Sequence, residues 1–91
     1  MNGMSLQEIQ QHMENLKEWS LSSNSIEKVF SFNTFKESIA FVNKIGEIAE
    51  KHNHHPDIMI NYNIVSLSLT THNVKGLTKA DFDVAKEIDK I

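Results

Sequence analysis

Three places in the chain carry a Ser or Thr with an acidic residue three positions on: Ser5 to Glu8, Thr34 to Glu37 and Thr78 to Asp81. In such a capping box the hydroxyl and the acid satisfy backbone N–H groups that the first helical turn leaves without partners. Each box precedes apolar residues at helical spacing, so the sequence predicts three helix starts. What lies between them must be built differently.

After Ser5, the residues Leu6, Ile9, Met13 and Leu16 follow at helical spacing. They predict a first helix from about Leu6 to Lys17, with Met4 and Ile9 placed as a hydrophobic staple. After Thr34, Phe35, Ile39, Val42, Gly46 and Ala49 form one stripe and Phe41, Ile45 and Ile48 a second beside it. So wide an apolar face predicts that this helix is the one most covered by the core. It must stop before Pro56, because the residue ahead of a proline disfavours the α region. Asn53, His54 and His55 then lie at or just beyond its C-terminus. Thr78 caps the last helix, with Leu77 and Phe82 placed for another staple.

The intervening stretches alternate. Trp19 and Leu21, a turn at Ser22-Ser23-Asn24-Ser25, and Ile26, Phe30 and Phe32 on one parity read as strand, turn, strand. Ile58, Ile60 and Tyr62 share one parity and Val65, Leu67 and Leu69 the other, so a hairpin turns near Asn63. Thr70, Thr71 and His72 end the second strand of that pair. The order α-β-β-α-β-β-α predicts an α+β fold: a single domain over residues 1–91, with a four-stranded antiparallel sheet covered by helices.

Composition narrows the function. With 91 residues and no cysteine, the chain has no disulfide, thiolate ligand or thiol nucleophile. A domain this small buries a modest share of its surface, so a homodimer or homotetramer is the expected source of further burial. All nine basic residues are lysines and the net charge is -3, which argues against nucleic-acid binding. No stretch approaches the roughly 20 apolar residues that span a bilayer, and Met1 to Gln11 lacks the pattern of a secretory signal. No membrane association and a cytoplasmic location are the expectations.

Chemistry concentrates in the histidines. His52, His54 and His55 cluster at the expected helix stop, and His72 follows at the end of a strand. Imidazole exchanges protons near neutrality. A polar helix end, where imidazolium complements the helix dipole, accounts for one such histidine but less well for an adjacent pair.

The run Glu50-x3-His54-His55-Pro56-x5-Tyr62-x9-His72-x8-Asp81 resembles the signature of the pterin-4a-carbinolamine dehydratases, with every position filled and every gap matched. Trp19, Phe30-Ser31-Phe32, Thr70-Thr71-His72 and Gly76-Leu77-Thr78 extend the resemblance over nearly the whole chain. It implies a hydro-lyase that converts a 4a-hydroxytetrahydropterin to a quinonoid dihydropterin and water in tetrahydropterin recycling. A hydroxyl leaves C4a while N5 loses a proton, which calls for proton transfer but no metal and no cofactor. The resemblance implies His54, His55 and His72 as the catalytic set. His54 and His72 would transfer protons, and His55 would mainly hold the substrate. Groups of Asn53, His54, His55, Thr70, Thr71, His72 and Asn73 would bind the flat pterin edge. Glu50 and Asp81 would support the imidazoles and favour their charged forms.

Several positions have a plainer explanation. Asp81 is open between a cap alone and a direct contact to His72. Glu50 could be an ordinary solvated helix residue. Tyr62 is assigned to structure, Trp19 to the core, His52 to an exposed position outside the signature, and His12 has no role. Two other functions compete: a histidine-ligated metal site drawing on Asp57 as well, which the adjacent His54 and His55 fit poorly, and a non-catalytic pterin- or protein-binding module of the dimerisation-partner or coactivator type.

Overall fold

The computed structural model describes residues 3–91. All three helix starts occur where the capping pairs place them. Helix α1 (Leu6–Met13) opens on Ser5, whose Oγ accepts from the Glu8 N–H while Glu8 Oε1 accepts from the Ser5 N–H. Thr34 and Glu37 exchange the same bonds ahead of α2 (Phe35–His52). Helix α3 (Lys79–Ile88) follows Thr78, with Asp81 Oδ2 accepting from the Thr78 N–H at 2.9 Å.

Strands β1 (Ser20–Ser22), β2 (Ser25–Ser31), β3 (Asp57–Asn61) and β4 (Ile64–Leu69) form one antiparallel sheet in the order β1-β2-β4-β3. Both hairpins close in two residues, Ser23-Asn24 and Tyr62-Asn63, and in each the first loop residue takes positive φ: 56° at Ser23 and 53° at Tyr62. Tyr62 is thus a turn residue with an exposed ring. One face of the sheet supplies Ile26, Val65, Leu67 and Leu69 to a core completed by Phe41 and Ile45 of α2, Phe82, Val84, Ala85 and Ile88 of α3, Leu77 and Trp19. Phe41 sits between Phe30 and Phe32, with ring centroids 4.7 and 5.0 Å away.

Three details differ from the sequence reading. The first helix ends at Met13, not near Lys17; Leu16 keeps the helical spacing, but the chain continues in tighter turns and reaches positive φ at Glu18. The middle helix is not the most covered. The shorter α3 buries Asp81, Phe82, Val84, Ala85 and Ile88, whereas α2 buries Ser38, Phe41, Ile45 and Ala49 and leaves Phe35 and Ile39 exposed. Val42 and Ile48 of α2 pack against the core beside its buried residues, so it is the N-terminal part of the apolar face that stays uncovered. Finally, β4 ends at Leu69. Thr71 lies beyond it in an isolated bridge to Gly76, and His72 opens a short 3-10 turn, His72–Val74.

Candidate active site

Helix α2 ends at Asn53, which takes the left-handed conformation (φ 50°, ψ 41°). Asparagine tolerates that region better than other non-glycine residues. The reversal lets the His54 N–H bond back to Ala49 O at 3.1 Å and stops the helix ahead of Pro56. The two adjacent histidines then leave in different directions. His54 turns inward to α3, and its Nε2 lies 2.6 Å from Asp81 Oδ1. His55 stays outside, with Nε2 2.5 Å from Glu50 Oε2 on the last turn of α2.

The environments of the two pairs are unlike. Asp81 is fully buried and His54 is 16% exposed, whereas His55 and Glu50 are 55% and 78% exposed. An exposed pair is solvated and screened, so it contributes little. A buried carboxylate must be satisfied by donors. Asp81 is: Oδ1 faces His54, and Oδ2 accepts from the Thr78 N–H at 2.9 Å and the Thr71 hydroxyl at 2.8 Å. The two readings of Asp81 therefore resolve into a third arrangement. It caps α3 and it contacts a histidine, but the histidine is His54 rather than His72. An ionised carboxylate only accepts, so the His54 nitrogen that faces it, Nε2, is the one that carries hydrogen in that pairing; in a neutral imidazole the lone pair is then on Nδ1.

Across from this dyad, the bridge between Thr71 and Gly76 closes the loop that carries His72 and Asn73, both exposed. Asn53, His54, His55, Thr70, Thr71, His72 and Asn73 together line one open cleft of about 260 Å³. A larger cleft of about 620 Å³ lies among Lys28, Phe30, Phe41 and Ile88 and contains no histidine. His54, His55 and His72 line the smaller one. Among the described residues, no group of three or more His, Cys, Asp or Glu side chains is arranged to hold a metal ion.

The remaining histidines sit elsewhere. His52 is not simply exposed: its Nε2 meets Glu87 Oε1 at 3.1 Å, beside Lys51 Nζ at the same distance, and so links α2 to α3. These bonds, His52 first and Lys51 second, hold the Glu87 carboxyl below its ordinary value. His12 stacks on Phe82 with ring centroids 4.9 Å apart. Sequence spacing carried no signal for either contact, because each joins residues far apart in the chain. The same holds for the Asp81–His54 pair and for the Thr71 hydroxyl.

Among the described residues, no helix is long and apolar enough to cross a membrane. Residues 2–91 match the family described as Pterin 4 alpha carbinolamine dehydratase. A protein of Sulfurisphaera tokodaii, provisionally named a pterin-4-alpha-carbinolamine dehydratase, is 45% identical over 91 residues, covering 100% of this chain and 98% of that one. One of Picosynechococcus sp., provisionally named in the same way, is 49% identical over 84 residues, covering 92% and 91%. The crystal structure of a transcriptional coactivator/pterin dehydratase from Brucella melitensis superposes with a TM-score of 0.93 at 27% identity, covering 98% of this chain and 97% of that one. A pterin dehydratase-like RuBisCO assembly factor of the alpha-carboxysome shares the fold alone, with a TM-score of 0.65 at 19% identity and coverage of 87% and 90%. A match that runs almost from end to end, joined to the same fold, makes one assignment: the chain belongs to the pterin-4-alpha-carbinolamine dehydratase family.

Proposed function

We propose that the protein dehydrates a 4a-hydroxytetrahydropterin to the quinonoid dihydropterin and water. The observation that carries this reading is the His54–Asp81 pair, whose histidine lines a cleft that His72 lines too. The reaction needs one group to take a proton and one to give one. His54 serves as the base that removes the N5 proton, because Asp81 fixes the tautomer with Nδ1 unprotonated and faces the imidazolium as it forms. His72, without a carboxylate partner, protonates the hydroxyl leaving C4a. The N5 electron pair then forms the C4a–N5 double bond as the C4a–O bond breaks, so atoms and charge balance without a further reactant. His55, held by Glu50, binds the pterin with Asn53, Thr70 and Asn73 at the rim of the cleft.

The Brucella relative is described as a coactivator as well as a dehydratase. A purely binding role accounts for Asp81 as a cap but draws nothing from the proton-exchanging capacity of three histidines at one cleft, so catalysis is the primary reading. A homo-oligomer is part of the proposal, argued below from the surface of α2. The deciding experiment is stopped-flow decay of a freshly generated 4a-hydroxytetrahydropterin. Acceleration proportional to protein concentration is expected; decay at the uncatalysed rate would overturn the proposal.

A further inference from the structure

Thr71 spends every polar atom inside the protein. Its N–H donates to Gly76 O at 2.9 Å, and its carbonyl accepts from Val74 N at 3.2 Å and Gly76 N at 3.4 Å. Its Oγ1 lies 2.8 Å from both Asp81 Oδ2 and Thr78 Oγ1. A hydroxyl carries one hydrogen, and ionised Asp81 can only accept. Thr71 therefore donates to Asp81, and Thr78 donates to Thr71. Donation thus runs from Thr78 through Thr71 to Asp81 Oδ2, and His54 Nε2 meets the same carboxylate from the other side at Oδ1.

We propose that Thr71 is a positioning residue for His54 rather than a group that hydrogen-bonds the substrate. Among the described residues, its hydroxyl is one of three donors that hold the buried Asp81 carboxylate, and it is the only side-chain donor to Oδ2. With that oxygen engaged, Oδ1 remains aimed at His54 Nε2 and keeps Nδ1 free. Without it, the carboxylate loses a donor in a site where water cannot easily replace one. The carboxylate then turns, and His54 loses its single tautomer. The backbone of the same residue closes the 71–76 loop through Gly76 and so carries His72. One residue thus sets both histidines, one through its side chain and one through its main chain, and the two roles can be separated by substitution.

The kinetic part rests on the dehydratase reading; the spectroscopic part does not. Thr71→Val keeps the shape and β-branching but removes the hydroxyl, and Thr71→Ser restores it. Nitrogen-15 spectra of the imidazoles are expected to show wild-type His54 as one tautomer, protonated at Nε2. In Thr71→Val the signature moves toward a mixture, and in Thr71→Ser it returns. In parallel, kcat of Thr71→Val falls about tenfold, near the lower end of what general acid–base assistance supplies, while KM stays within about twofold and Thr71→Ser recovers kcat. Unchanged His54 resonances in Thr71→Val overturn the proposal. So does a rise in KM alone, which would make Thr71 a substrate contact. If Thr71→Val does not fold, the wild type decides: a Thr71 hydroxyl proton protected from solvent exchange is expected, and rapid exchange overturns the proposal. A wild type without turnover would remove the dehydratase reading, yet the nitrogen-15 result would still decide the role of Thr71.

Discussion

His54 and His55 are adjacent in sequence and opposite in setting, and that contrast decides what each substitution should do. His54 faces a buried carboxylate; His55 faces an exposed one. His54→Ala should lower kcat by at least about tenfold, since general acid–base assistance contributes about 10²–10⁴-fold. His72→Ala should do the same, and the double variant should fall below either one. His55→Ala should instead raise KM with a smaller change in kcat, as loss of uniform binding does. Steady-state kinetics on folded protein checks these outcomes; wild-type kcat in both His54→Ala and His72→Ala would defeat the mechanism. Because the steps above use no metal, turnover should also survive exhaustive chelation. Loss with EDTA and recovery with zinc would restore the metal reading. The candidate residues were legible in the sequence, but their pairing was not. Asp81 lies closer in sequence to His72, yet the packing of α3 on α2 delivers it to His54, a contact between residues 27 apart that no local pattern encodes.

At the scale of elements, the joints between helices and strands are polar and can be tested singly. Asp89 at the C-cap of α3 collects three donors: Lys28 Nζ of β2 at 2.9 Å, Trp19 Nε1 at 2.9 Å and the Lys17 N–H at 3.1 Å. Lys28 and Asp89 are nearly buried. Asp89→Ala strands the ammonium and should cost about 3 kcal/mol, measured by denaturant unfolding, whereas an exposed pair would cost almost nothing. The α2–α3 clamp at Glu87 should show itself through pH. Its folded carboxyl is held below the ordinary value of 4.5, mainly by His52 and then by Lys51. Its contribution is therefore full above about 4.5 and is lost as pH falls through the lower folded value. The melting temperature of the wild type should exceed that of Glu87→Gln at pH 6, and the gap should close on acidification and shrink in high salt. Capping pairs and strand parity made the elements readable, because both signals are local. The end of α1 was not: Leu16 extends the spacing, but backbone turns after Met13 end the helix.

For the whole molecule, the open question is what covers α2. Phe35 and Ile39 are 50% and 36% exposed and continue one stripe through Val42 to Gly46. The sequence reading placed that stripe against the core; within one protomer its first two members, Phe35 and Ile39, face outward, while Val42 packs on the core and Ala49 is buried. Nothing lies within 4 Å of where a Cβ on Gly46 would stand, so the protomer has no packing need for glycine there. A mid-helix glycine costs about 0.5–1 kcal/mol relative to alanine, and it suits a position where a second helix comes close. A 91-residue chain without cysteine gains most from burying such a stripe against a copy of itself. Light scattering at micromolar concentration should therefore find a homo-oligomer, and a monomer alone would refute this. Ile39→Glu should shift the population toward monomer, because a carboxylate opposed by an apolar helix is costly to desolvate. Gly46→Ala supplies a sign test. Helix propensity alone predicts a more stable protein, whereas close packing of a partner at Gly46 predicts a weaker assembly despite the better helix. Dissociation measured by dilution, set beside melting of the monomer obtained with Ile39→Glu, separates the two effects.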